Sequence, residues 1–184
     1  MTFPLHMPPT IMLLAGMLIL PPLATTTARV AVRDGTEHEE VLNTVAAFKK
    51  KDPGLKKFFD NSVGYAVLPS VGKGAVGVGA AYGDGELIVD GKAIGKISMT
   101  QLTVGLALGG QSYSEVIFFE KQTTLDGFKH GDFAFAAQVS AVAVTSGASA
   151  NAAYRDGVAV WTLAKGGLMY EASVGGQKFS FKPY

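Results

Sequence analysis

Residues 72–85 read GKGAVGVGAAYGDG, and two incompatible structures would explain their glycines. Residues 72–77 have the Gly-x-Gly-x-x-Gly spacing that cradles a dinucleotide pyrophosphate when it opens a helix after a strand. The residues that follow instead alternate between larger and smaller side chains, and the larger ones are Val76, Val78, Ala80 and Tyr82. A period of two is typical of a β-strand. We therefore interpret the stretch as a glycine-rich strand and not as a phosphate loop.

The same alternation returns at residues 96–108, where leucine and valine oppose glycine, alanine and threonine. Glycine in a strand often marks a place where another backbone or a large side chain approaches closely. We expect this packing role, and no chemistry, for Gly77, Gly79, Gly105 and Gly109.

Residues 36–51 form the clearest helix of the sequence. Thr36 and Glu39 have the spacing of a capping box, and lysines fill the last turn, where they complement the helix dipole. Asp52-Pro53-Gly54 ends this helix, and residues 55–60 predict a short second helix or turn.

The rest of the chain predicts short strands separated by turns. Asp84-Gly85 and Asp90-Gly91 are hairpin turn signals. Residues 124–129 predict a helical turn, and strands are expected at residues 65–68, 76–82, 87–89, 96–108, 113–119, 133–144, 149–154, 158–163 and 168–174. The predicted class is α+β and β-rich, with an antiparallel sandwich- or barrel-like sheet of many short glycine-rich strands, N-terminal helices and one helix between strands.

The N-terminus resembles a secretory signal peptide. Residues 11–20 form an uncharged apolar run that is short for a membrane span, two prolines follow, and Thr26-Thr27-Ala28 offers small residues before a cleavage site. We expect a signal peptide at residues 1–28, a domain at residues 29–184, and an exported protein of the periplasm or cell envelope. An uncleaved anchor or a misassigned start codon are the alternatives, since the first ten residues lack lysine and arginine.

The composition excludes several classes of function and of site. A formal net charge of +1 argues against a globally basic nucleic-acid binder. The absence of cysteine excludes disulfides, thiolate metal sites, a cysteine nucleophile and a lipoprotein anchor on cysteine.

A basic cluster is the main candidate site. Five of the 16 basic residues lie within nine positions, and two phenylalanines follow them. Lysines beside aromatic residues suit an anionic membrane surface, so we predict headgroup contacts from Lys49, Lys50, Lys51, Lys56 and Lys57 and membrane contacts from Phe58 and Phe59. The alternative is a solvated helix end with both phenylalanines in the core.

Enzymatic and metal sites have weaker support. Glu37, His38, Glu39 and Glu40 are consecutive, so on a helix they diverge and few of them can share one ion. His130 lies near an aspartate, but no G-x-S-x-G or S-x-x-K motif supplies a nucleophile. We expect no catalysis, no cofactor and no metal.

Residues 98–112, SMTQLTVGLALGGQS, resemble the signature of the SYLF lipid-binding domain family in its bacterial branch. GYAVLP at 64–69, KGAVGVGAAYGDG at 73–85, FKHGDFAF at 128–135 and GLMYEASVGG at 167–176 agree with it, so the resemblance covers about residues 42–181. It implies structural roles for Gly77, Gly79, Gly105, Gly109, Gln111 and Ser112.

The resemblance also implies partners. Eukaryotic members of the family bind phosphoinositides, and some bind actin filaments, so an anionic lipid and, by eukaryotic analogy, an actin-type protein are the expected classes of partner. Ala136, Ala137 and Gln138 stand where the family usually has Gly-Ala-Asp, and Glu171 stands where it usually has glycine. The main alternative is an envelope structural or protein-interaction module without lipid binding.

Overall fold

The computed structural model of the protein describes residues 25–131, 134–135 and 142–184. Its helices are α1 (Thr25–Lys51), α2 (Lys56–Asn61) and α3 (Gln122–His130), and 3₁₀ turns cover Pro53–Leu55 and Ala148–Asn151. Its strands are β1 (Gly64–Val89), β2 (Lys92–Phe119), β3 (Ala134–Phe135), β4 (Val142–Ala143) and β5 (Val158–Pro183). Residues 1–24 lie outside this range, so cleavage after Ala28 stays a prediction.

Helix α1 begins earlier than the sequence predicts. It starts at Thr25, so Thr36 lies inside the helix and the prediction of an N-cap there was wrong. Its C-terminal end is where it was expected. The Asp52 carboxylate accepts hydrogen bonds from Gly54 N at 3.0 Å and Ser149 N at 2.7 Å, which joins the end of α1 to the second 3₁₀ turn. Helix α2 confirms the short second helix.

The predicted short strands merge into three very long ones. β1 and β5 each have 26 residues and β2 has 28. β1 pairs antiparallel with β2, and β2 pairs antiparallel with β5. β5 also pairs with β3 and, in parallel, with β4. The α+β, β-rich class is confirmed, and the sheet is not closed into a barrel: among the described strands, β1 forms one of its edges.

Of the two predicted hairpin turns, only one is a turn. Asp90 and Gly91 connect β1 to β2 with φ of 49° and 72°, the left-handed conformations that a two-residue hairpin requires. Asp84 and Gly85 lie inside β1 and pair with Ser98 and Ile97. Gly85 is there for a different reason, because a Cβ on it would lie 1.8 Å from the Val67 carbonyl oxygen.

The three long strands fold back on themselves. The contact between Gly85 and Val67 brings the two halves of β1 face to face. The strands bend in the middle, where Gly77, Gly109 and Gly167 have φ of 77°, 120° and 96°. The β1–β2 register shifts beside Gly77, between Val76 and Val78. Residues 72–77 therefore belong to a bent strand, which confirms that they are not a dinucleotide loop.

Two apolar cores stabilise this arrangement. One lies between the folded-back halves of the sheet and includes Leu68, Leu87, Ile117, Phe119 and Phe179. The other lies between the outer face of the sheet and the N-terminal helices, and it includes Val41, Phe48, Phe58, Phe118 and Trp161. The helices therefore cover only part of the sheet surface.

The last third of the chain departs most from expectation. The helical turn at residues 124–129 is confirmed as α3. The strand expected at residues 149–154 was wrong, because a 3₁₀ turn occupies Ala148–Asn151. Of the strand expected at 133–144, the structure describes only β3, β4 and Val144, and residues 136–141 lie outside the described range.

Candidate functional site

The five lysines of the basic cluster lie at the C-terminal end of α1 and on α2. Lys49, Lys50 and Lys51 are exposed in the last turn of α1, and none of them forms an ion pair with the described acidic side chains. Lys56 Nζ lies 2.5 Å from the Asp60 carboxylate. Lys57 Nζ donates to the Ser149 carbonyl oxygen at 2.7 Å. The structure therefore leaves three of the five side chains available to an anionic ligand, and we call these three the lysine end.

The two phenylalanines beside the lysines have different environments. Phe58 is 3% exposed, and its ring packs edge-on against Tyr154 and Trp161 at centroid distances of 5.3 and 5.7 Å. It belongs to the outer core and does not reach the surface, so the structure contradicts a membrane contact from Phe58. Phe59 is half-buried, and Lys49 Nζ lies 4.5 Å from its ring centroid.

The glycines expected to be structural serve two different needs. A Cβ on Gly79 would lie 2.3 Å from Thr103 Oγ1, so this glycine permits close packing. Gly77 and Gly109 supply positive φ at the bend instead, and Gly77 has no heavy atom within 4 Å of its Cβ position. The backbone of Gly105 pairs with Ser173.

Gln111 and Ser112 are half-buried strand residues at the far side of the bend. They pair with Lys73 and Gly72 on β1. Their position in the ladder fits the structural role that the resemblance implies.

A second candidate surface was missed by sequence reasoning. Five large aliphatic side chains are exposed together on β1 and β2 at the bend: Val76 (82%), Val78 (62%), Leu102 (68%), Val104 (69%) and Leu108 (63%). We call this surface the bend face. Val76 pairs with Leu108 and Val78 with Val104, so they form cross-strand neighbours on one side of the ladder. A contiguous exposed apolar patch marks an interaction site more often than single exposed aliphatics do.

The lysine end and the bend face lie at opposite ends of the domain. Lys49 contacts Phe59, and the Phe59 ring packs on Tyr65 near the start of β1 at a centroid distance of 5.1 Å. Tyr65 and Val76 are eleven residues apart on β1, which corresponds to roughly 30–36 Å of strand. One ligand of ordinary size cannot contact both surfaces.

The acidic residues at the start of the predicted helix are used for internal pairing. His38 Nδ1 lies 2.7 Å from the buried Glu86 carboxylate, and Lys96 Nζ donates to Glu37 at 2.6 Å. Of these groups, Glu37 and Glu86 line a cavity of about 250 Å³ between α1 and β1. Across the described residues, no three potential metal ligands come close enough to share an ion. These contacts hold α1 on the sheet.

Glu115 is the most unusual ionisable group of the described chain. Its side chain is fully buried on β2, facing the inner core. Oε2 accepts a hydrogen bond from Gln177 Nε2 at 3.1 Å, whereas Oε1 has no protein partner. Burial raises the pKa of the Glu115 carboxyl to about 7, and the hydrogen bond from Gln177 opposes this only in part. The group therefore changes charge near neutral pH.

In the ranges 25–131, 134–135 and 142–184, no helix is both long enough and apolar enough to cross a bilayer.

Comparison with known proteins identifies the class of domain. Residues 100–183 match the family described as "Ysc84: Las17-binding protein actin regulator", which is the SYLF family. This stretch of the chain thus matches the SYLF family, and the resemblance is confirmed there. SYLF domains have lipid-binding or actin-regulator-type roles, and they are binding domains with no known catalysis.

One curated relative extends the similarity beyond that stretch. The chain is 30% identical over 131 residues to "Beta cell expansion factor A" of Aeromonas veronii. The match covers 70% of this chain and 49% of that protein, so the chain spans about half the length of the curated relative that it matches.

Proposed function

We propose that this SYLF domain binds anionic membrane surfaces without catalysis, through the lysine end. The observation that supports it is the placement of Lys49, Lys50 and Lys51, three exposed lysines in the last turn of α1 with no ion-pair partner among the described acidic side chains. Lipid binding is one of the roles of the family.

The strength of the contact follows from the number of free charges. Each lysine near an anionic surface contributes about 1 kcal/mol. Three contribute about 3 kcal/mol, which is roughly a hundredfold in affinity. Lys56 and Lys57 add less, because Asp60 and the Ser149 carbonyl already engage them. The attachment is therefore weak and sensitive to salt.

The test is co-sedimentation with vesicles of phosphatidylcholine, with and without phosphatidylserine, at low and high salt. We expect retention on the anionic vesicles that weakens with salt. Changing Lys49, Lys50 and Lys51 together to glutamine should lower it roughly a hundredfold. The matched control changes the same three residues to arginine, which keeps the charge and should keep the binding. Equal retention on neutral vesicles, or an unaffected glutamine variant, would reject the role of the lysine end.

A protein partner is the second candidate. The matched family is described as Las17-binding and actin-regulating, and β1 pairs only with β2 among the described strands. Its other edge is a template for an added strand. Pelleting with actin filaments in the absence of lipid, unchanged by the glutamine substitutions, would favour this function over the first.

Export to the periplasm or cell envelope remains part of the proposal. It rests on the apolar run at residues 11–20 and the small residues that precede a cut after Ala28. The mass of the N-terminus of the protein purified from its host tests it, because cleavage predicts a chain that begins at residue 29.

A further inference from the structure

The bend face has no role in either apolar core, and the lysine end does not explain it. We infer that the bend face is a second lipid contact, which enters the interfacial layer of a bilayer and lets the domain bridge two membranes. This inference rests on the proposed function, because it takes the same class of ligand at the opposite end of the molecule.

The bend face is apolar across two strands, and the backbone of a third strand, β5, pairs with one of them. Val104 pairs with Val78 on β1 and with Val174 on β5. Leu108 pairs with Val76 and Tyr170 in the same way. None of the five side chains of the bend face is charged, although solvent reaches more than 60% of each. A hydrocarbon-rich ligand covers such a surface without desolvating any charge.

The border of the bend face favours a membrane as the ligand. Lys178 is exposed on β5 and pairs with Thr100, which lies two residues before Leu102 on β2. Tyr82 follows the apolar stretch of β1, is 55% exposed, and donates a hydrogen bond to Asp84. Lysine and tyrosine around an apolar centre match the headgroup layer of an anionic bilayer, where amphipathic aromatic and basic side chains collect.

The geometry then makes the domain a bridge. The lysine end and the bend face are separated by roughly 30–36 Å of strand, so the two surfaces can contact two different bilayers. The lysine end binds by electrostatic attraction, which salt weakens, whereas the bend face binds by apolar contact, which salt does not screen.

Two single-cysteine variants test the contact directly, since the natural chain has no cysteine. Val104→Cys places an environment-sensitive fluorophore on the bend face. Leu42→Cys is the matched control, because Leu42 is a similarly exposed aliphatic residue on α1, 54% exposed. On phosphatidylserine-containing vesicles we expect a blue shift from position 104 and little change from position 42. Urea unfolding of both labelled proteins confirms that they remain folded.

Vesicle clustering, followed by light scattering, tests the bridge. The unlabelled protein should cluster anionic vesicles, and Val104→Asp should reduce clustering at least about tenfold while co-sedimentation through the lysine end persists. Binding without a shift at position 104, or clustering unaffected by Val104→Asp, overturns this inference and leaves the proposed function intact. No vesicle binding at all overturns both. A blue shift without lipid that grows with protein concentration assigns the bend face to a second copy and also overturns the inference.

Discussion

Replacing Glu115 with glutamine should remove a pH dependence of stability that the fold builds in. In the folded protein the pKa of this carboxyl is about 7, and its ordinary value is 4.5. The native state therefore binds more protons than the unfolded state between these two values. Stability is full below about pH 4.5, falls as the pH rises through 7, and is lowest above it.

The size of the effect follows from the two pKa values. Each pKa unit corresponds to about 1.4 kcal/mol, so complete ionisation of Glu115 costs about 3 kcal/mol of unfolding free energy. Glutamine keeps an oxygen that accepts from Gln177 and carries no charge. We expect the variant and the natural protein to be similarly stable at pH 5, and the variant to be more stable by about 3 kcal/mol at pH 8.5.

Urea unfolding of both proteins between pH 5 and pH 8.5 measures this difference. Subtracting one from the other cancels every contribution that the two proteins share. If the natural protein and Glu115→Gln lose stability in parallel as the pH rises, the carboxyl is not the group that titrates and the reasoning about its burial is wrong.

Three further predictions concern unfolding free energies. Gly85→Ala should cost at least about 3 kcal/mol, because its Cβ would lie 1.8 Å from the Val67 carbonyl oxygen; Gly72→Ala is the control and should stay within about 0.5 kcal/mol. Phe58→Ala should cost about 3–5 kcal/mol in urea unfolding, and a loss below about 1 kcal/mol would contradict its burial. Asp52→Asn should cost about 1.5–3 kcal/mol at pH 7, since an amide replaces a carboxylate that accepts from two backbone N–H groups. Burial acts to raise the pKa of Asp52, but these hydrogen bonds outweigh it and hold the pKa below its usual 3.8. The stability difference between the natural protein and Asp52→Asn should therefore vanish as acid protonates the natural carboxyl. A difference that persists in acid would contradict the role of the ionised carboxylate.

Sequence reasoning succeeded where the determinants are local. The end of α1, helix α2, the Asp90-Gly91 turn and α3 each depend on a few adjacent residues, such as the lysines of the last helical turn. It failed where glycine can serve either a turn or a close contact between two parts of the backbone. Gly85 follows an aspartate and reads as a turn, but it serves close contact with Val67, which is eighteen positions away in the sequence. Such a contact becomes visible only once the strand is known to fold back.

The residues of the candidate sites also divide into those placed by local sequence and those placed by contacts with distant parts of the chain. Three of the predicted lysines are exposed, because they occupy the last turn of α1, whose position follows from local helix signals. The prediction that Phe58 contacts a membrane was wrong, because its position depends on Phe118 and Trp161, which belong to strands distant in the sequence. Glu115 could not be singled out, because its burial follows from packing against the far end of β5.

The bend face results from an alternation in which small residues face inward and large aliphatic residues face outward. Strands of 26–28 residues are several times longer than the usual five or six, so they must bend, and the glycines at positions 77, 109 and 167 provide the bend. Close to the bend, the inward-facing positions of β1 carry small groups, such as Gly79 and Ala81. The large residues of the same alternation, Val78 and Val104 among them, consequently face outward. Packing does not require aliphatic side chains there, since polar ones would leave the core unchanged. Their presence on the outside is therefore explained by a ligand that covers them.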